Sequence, residues 1–463
     1  MPKNVQASPE QPQYANRLYV VIAFAVAVVY YVSNPKPQGY YDYTFRVAAN
    51  MLGGSVAFTE KQPSWLNEFV PFEGFYYSVF PLGSVVTMMP FALLKVAGFI
   101  SDMPAAFIAA LSAGLICLFL FLIGRRYGID RTRLIVMTLG VLFGTWMWTN
   151  LTMAGAWQLA LGFAMIGELG AIYFTVYDRR PLIAGLFFAM AFGNRTEVLL
   201  TAPIFFWLLY RGDAGKGRRG DAGKGRGGNA GKGRGGDAEN RRRGDTGIVR
   251  CFQRRILTPS PLLRVTAFPL PRVAATPLLR VAKFCVFPFI LGVATLFYNY
   301  IRFHSFTDFG YARIPGVLDE PWYNHGIFSY RYIPGQMWEM LWRPWETRAV
   351  FPYLVPNPFS SSILWSSPFV LFAFRSGSRD RALKYASWLA IFVLSVLLWM
   401  HGNSGGWQFG YRYAMVCLPW LFVVMLESAP RKLTPLEWAA YGCSFAANIY
   451  ATWLFHWTSY LKS

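Results

Sequence analysis

Few residues in this chain have side chains suited to catalysis, and they are widely spaced. The stretch GYYDYTFRVAANMLGG, 39–54, sets one carboxylate, Asp42, among tyrosines, and Glu68 and Glu73 follow in the same loop. A positioned carboxylate can take a proton from an attacking hydroxyl, and a fixed arginine can hold a phosphate. Two arginines stand in apolar or glycine-rich surroundings, Arg195 in GNRTE and Arg412 in GGWQFGYRY. Each of these residues also has a plainer reading. Asp42 opens a segment in which Phe45, Ala48, Ala49 and Leu52 recur at helical spacing, so it equally fits a capping acid favoured by the helix dipole. Arg46, one turn on, would then pair with Asp42. Arg195 can pair with Glu197, and Arg412 can snorkel to an interface, although a charge within an apolar layer is costly enough to point to function.

The elements that must position these residues are apolar helices. Of 463 residues, 54% are hydrophobic, 18% aromatic and only 14% charged, which excludes an ordinary soluble globule. The apolar runs are long enough to cross roughly 30 Å of hydrocarbon as helices, and they lack the alternation of barrel strands. The expected fold is an all-α polytopic membrane protein. Spans are predicted near 17–33, 80–99, 104–123, 132–150, 153–177, 182–210, 283–301, 361–374, 383–400, 413–427 and 435–455. A possible break at GNRTE inside 182–210 widens the count from eleven to between eleven and thirteen.

Lysines and arginines beside the spans set the orientation. The tract 211–282, the SGSRDRALK segment at 376–384 and Arg431–Lys432 mark cytoplasmic loops, with residues 1–16 on the same side. Alternation then places two long loops, 34–79 and 302–360, on the outer face. It also puts RRYGIDRTR, 125–133, on that face, against the positive-inside rule. The first apolar run lacks a small-residue cleavage site and reads as an uncleaved anchor. The five cysteines fall in spans or in the basic tract, so no disulfide framework is implied.

The net charge of +21 is concentrated in 211–282, where DAGKGRRG, DAGKGRGG, NAGKGRGG and DAENRRRG follow one another. Such repeats bury too little apolar area to order themselves, so 211–247 is expected to be a disordered cytoplasmic insert, not a nucleic-acid site. GKGRRG lacks the ending of a phosphate loop. The loop PWYNHGIFSYRYIPGQMWEMLWRPW, 321–345, reads as an aromatic belt, and His304, His325 and His401 lack metal-ligand spacing.

An acid some ten residues beyond the first span, a small-residue helix ending in glycine, and GFYYSVFPLGSVVTMMPFALL at 74–94 recur in a known order. With GNSGGWQFGYRYAMVCLPWL at 402–421, the chain resembles the membrane glycosyltransferases of the GT-C fold, nearest to the protein O-mannosyltransferase and lipid A aminoarabinose transferase group. Two departures stand out: Asp42 is followed by Tyr43 where many members have a second acid, and Val79 stands where they carry a lysine.

The resemblance implies a GT-C-like bundle in a bacterial inner membrane with its active site on the outer face. It implies an inverting transferase that moves a sugar from a polyprenyl-phosphate donor to a hydroxyl of a lipid, glycan or protein, without a cofactor. Asp42 would be the catalytic base, and Arg46, Glu68, Glu73, Tyr76, Tyr77, Arg195 and Arg412 would bind substrate. The alternative is a transporter or lipid flippase, which Glu168 inside the apolar MIGELGAIYF favours.

Overall fold

A computed structural model describes residues 13–34, 41–211 and 276–461. The expected disordered insert, apart from Arg211, lies outside the described residues. Apart from two short two-stranded ribbons, the regular structure is helical. The chain runs through α1 (Gln13–Ser33), α2 (Tyr43–Leu52), a hairpin of β1 (Phe69–Phe72) and β2 (Phe75–Ser78), then α3 (Leu82–Val96) and α4 (Ala105–Gly124). It continues through α5 (Arg131–Phe143), α6 (Met147–Met153), α7 (Ala156–Ile172), α8 (Pro181–Asn194) and α9 (Ala202–Arg211). Beyond the insert come α10 (Pro277–Phe303), α11 (Ile333–Leu341), α12 (Arg381–Met400), α13 (Leu418–Ser428) and α14 (Pro435–Trp457).

Among the described residues, four helical segments are long and apolar enough to cross a membrane: Ala105–Tyr127, Ala156–Tyr177, Pro277–Phe303 and Arg381–Met400. The pair α5 and α6, bent by 49° at the break between them, makes a fifth if it is one span. Several predicted spans are interrupted. Within 182–210 the helix stops at Asn194, and a 3-10 turn, Thr196–Thr201, precedes α9. Within 413–427 a 3-10 turn, Arg412–Cys417, precedes α13. The span expected at 361–374 is only a one-turn helix, Ile363–Ser366, followed by a 3-10 stretch, Pro368–Phe374. Ser362 caps the start of that turn, its Oγ accepting from the N–H groups of Leu364 and Trp365, and Pro368, which lacks an N–H and disfavours a helical residue before it, stops the turn from continuing as an α-helix.

Close backbone approach fixes the break in α8. A methyl group on Gly83 of α3 would run into the Gly193 backbone. The contact brings Thr87 within 3.2 Å of the Asn194 side chain, whose amide donates to Met190 O at 2.9 Å. The helix therefore ends where its last polar side chain is already satisfied, and the next residue, Arg195, turns extended.

Charged segments gather at one end of the bundle. The Asp130 N–H donates to Arg431 O, Arg133 binds Glu437, and Arg375 binds the same carboxylate. Tyr127 donates to Glu427 at 2.8 Å, and Arg211 pairs with Asp380 at 3.0 Å. Residues 125–133 thus share an end with 375–384 and 427–437, contrary to the alternation expected from an eleven-span count. Beyond the break at Asn194, α9 runs on to Arg211, which lies at this same end against Asp380. At the opposite end the loop strands contact the end of α10, where Arg302 donates to Ser78 O, and residues 327–328 pair with His401 and Gly402.

Two outcomes test this arrangement. Gly83→Val should lower the melting temperature of the solubilised protein through an overpacking cost of about 1–3 kcal/mol; Gly292→Val, where nothing lies within 4 Å, should not. Cysteines introduced separately at Arg126 and Arg431 should react with an impermeant thiol reagent from the same side of sealed vesicles.

Candidate active site

The loop end holds a cavity of about 1270 Å³ lined by Glu68, Trp157, Gln158, Arg195, His401 and Arg412 among others. Trp157 stands in the first turn of α7, which the Ala156 N–H anchors to Tyr41 O at 2.9 Å. Its indole Nε1–H points at the Glu68 carboxylate, 3.0 Å from each oxygen. Glu68 itself comes just before β1, and its carbonyl accepts from the Val79 N–H, so the hairpin sets its position. Removal from water pushes the Glu68 carboxyl up to about 7, against the opposing pull of the Trp157 N–H and the Arg412 charge. At neutral pH it is poised to take or give a proton.

The cationic side of the cavity is built from the two helix interruptions. Arg195 pairs with Glu197 at 2.7 Å and lies 4.8 Å over the Tyr413 ring. Arg412 lies 5.1 Å over the same ring and 5.9 Å over the Trp157 ring. Its backbone N–H donates to Gln408 Oε1 at 2.8 Å and its guanidinium to the Tyr413 hydroxyl at 3.3 Å. Arg412 is only 7% exposed, and its Nε has no hydrogen-bond partner. Among the described residues no carboxylate lies within ion-pair distance of it. Burial holds the His401 imidazole below its ordinary value, so it is neutral at pH 7. The unmatched charge of the site is therefore carried by Arg412.

Of the expected site residues, Glu68, Arg195 and Arg412 come together here, and Val79, at the position of the absent lysine, also lines the cavity. The others do not. Asp42 precedes α2 and is buried, with Oδ1 2.6 Å from Arg46 Nε, and neither residue lines the cavity. Glu73 and Gly74, both with positive φ, form the two-residue turn between β1 and β2. Glu73 is well exposed, 3.6 Å from His304. Tyr76 bridges to Phe58, and Tyr77 packs in a small cluster with Val70 and Phe303. Glu168 lies deep in α7, accepting from Trp420 Nε1 at 3.1 Å.

Trp157, Gln158, His401 and Tyr413 were not singled out from the sequence as binding residues. A glutamine in the apolar run GAWQLALGFAM was a usable signal for Gln158, because polar groups inside such runs need a partner. Among the described residues, no three His, Cys, Asp or Glu side chains converge as a metal site.

No protein-family model matches the chain, and no curated protein or solved structure matches it. The arrangement must therefore be read from its own chemistry: a proton-accepting carboxyl near neutrality and a buried arginine short of a partner face one cavity. Removing either partner of Glu68 should move its titration upward. Arg412→Gln deletes a charge that favours the ionised carboxylate, and Trp157→Phe deletes its hydrogen bond. Both should raise the midpoint of the Glu68 carboxyl band in infrared titration above its wild-type value of about 7, with Glu68→Gln as the blank.

Proposed function

We propose that the protein is an inverting glycosyltransferase, which moves a sugar from a polyprenyl-phosphate donor to an acceptor hydroxyl. The observation that supports this reading is that the Glu68 carboxyl and the Arg412 guanidinium, whose Nε lacks a hydrogen-bond partner, line one cavity. The acceptor is a lipid, glycan or protein, and the donor's tail lies among the membrane lipids. The bundle crosses a bacterial inner membrane eleven to thirteen times, with the cavity at its outer face.

In this reading Glu68 takes the proton as the acceptor oxygen attacks the anomeric carbon. The bond from that carbon to the phosphate oxygen breaks, its electron pair leaves with the phosphate, and the configuration inverts. Arg412 takes up the charge on the phosphate. Arg195, already matched by Glu197, holds Tyr413 against Arg412. This reading takes Glu68 as the proton acceptor in place of Asp42, because Asp42 is paired with Arg46 and is not among the lining residues.

A transporter is the second reading, favoured by the interruptions at Arg195–Thr201 and Arg412–Cys417. The two readings part on one assay: purified protein in vesicles, a panel of polyprenyl-phosphate sugars, and membrane extract as acceptor, with donor loss followed over time. Glu68→Gln should cut transfer by roughly 10²–10⁴-fold, and Asp42→Asn by less than tenfold. Arg412→Lys should weaken donor use and Arg412→Ala weaken it further, since lysine cannot copy the planar fork. Full activity in Glu68→Gln with loss in Asp42→Asn would return the base to Asp42. Sugar-lipid movement between leaflets without transfer would establish the transporter.

A further inference from the structure

The cavity has a second pole, and it is neutral. Many buried side-chain polar atoms lack a partner, but among the residues lining the cavity there are two, Arg412 Nε and Gln158 Oε1. One is a donor and the other an acceptor. Gln158 is 5% exposed, and its Nε2 contacts only the sulfur of Met153, at 3.9 Å, a weak acceptor.

The space around Gln158 is kept by a glycine. Gly155, at the start of α7, has ordinary backbone angles that alanine could adopt, with φ −76° and ψ 169°. A methyl group there would lie 2.8 Å from Gln158 Oε1. Nearby, Thr152 Oγ1 and His456 Nε2 are 2.8 Å apart, and both residues line the cavity. The Thr149 carbonyl, 3.1 Å from Nε2, can only accept, so Nε2 carries the hydrogen. Tyr41 adjoins Gly155, and Trp157 and Trp407 also line the cavity.

A group bound here must donate a hydrogen bond to Gln158 and present faces to aromatic rings, without bringing charge. A sugar ring does both. Building on the transferase reading above, we propose that Gln158 reads the donor's sugar, its Oε1 accepting from a ring hydroxyl, while Arg412 holds the phosphate. Gln158 is then the residue that distinguishes the loaded lipid from the bare polyprenyl phosphate left after transfer. The bare lipid has no sugar hydroxyl to offer Gln158, so it binds without this contact.

The test is binding, measured by native mass spectrometry on full-length protein in nanodiscs. The probes are bare polyprenyl phosphate and its glucosyl, mannosyl and galactosyl derivatives. Wild type should bind at least one loaded lipid more tightly than the bare one. Gln158→Leu should weaken that preference by about tenfold or more, the effect of one lost buried hydrogen bond, and leave bare-lipid binding unchanged. Gly155→Ala, which crowds Oε1 without removing it, should act in the same direction, and Arg412→Ala should weaken every probe. Equal weakening of loaded and bare lipid in both Gln158→Leu and Gly155→Ala, or no change in either, overturns the assignment of Gln158. Failure of wild type to bind any of the four lipids overturns the donor reading itself, which is a separate result.

Discussion

Arg412 is a buried cation held without a carboxylate of its own. Taking such a charge from water costs several kcal/mol unless something replaces the lost solvation. Here the replacement is partial: the Tyr413 hydroxyl, the faces of Tyr413 and Trp157, and the distant pull of Glu68. Cation–π contacts of this kind offset only part of the cost. In the proposed reading that shortfall is what a phosphate would make good, by restoring what burial removed. It also ties the two reactive groups together. The charge on Arg412 favours ionised Glu68, and a phosphate on Arg412 would weaken that effect and make Glu68 a stronger proton acceptor. In the transferase reading, binding of the donor would thus prepare the base.

That arrangement depends on how helices approach one another. Arg195 is the first residue beyond α8, and Arg412 opens the 3-10 turn that leads into α13, so neither guanidinium lies mid-helix in the apolar layer. In α8 the stop is set by the contact of Gly83 with Gly193, where two backbones meet with no side chain between them. At Arg412 the start of the 3-10 turn is held by Gln408, whose amide oxygen accepts the Arg412 N–H and whose Nε2 donates to Ser404 O at 2.8 Å. The cost of interrupting a helix inside an apolar bundle is met by side chains close in sequence.

Much of this was legible in the sequence, and the limits have physical causes. Long apolar runs become helices because only helices satisfy the backbone locally, so α1, α4, α7, α10, α12 and α14 lie where their hydropathy places them. The stretch 361–374 is apolar enough for a span but carries Pro368, and Ser367 ahead of it leaves the helical region, so the proline's restriction prevailed over hydropathy. Arg195, Arg412 and Glu68 were readable as charges in costly places. Asp42 and Tyr76 were prominent because of their motif, and motif order does not say which way a side chain faces. The Glu68–Trp157 bond joins residues 89 apart, a pairing that no spacing rule reveals. Gln158 was hidden for a simpler reason: in a helix buried on nearly every side, one amide does not disturb the periodicity.

The depth of the cavity bears on transfer against transport. On α7 its lining ends at Ala160, so it reaches about one turn into that helix. Glu168 lies eleven residues beyond Trp157, which at the rise of an α-helix is roughly 16 Å further in. Its partner Trp420 is fully buried and packs on Phe205 at that level. Beyond them, at the far end, Glu437 and Glu427 are bound by arginines, tyrosine and backbone. A solute leaving the cavity toward that end would have to displace packed rings and break a bonded charge cluster, whereas a lipid-borne group reaching the loop end needs neither. The unmatched polar atoms of the cavity therefore face a space closed on one side, which suits a substrate that arrives, reacts and leaves at a single face.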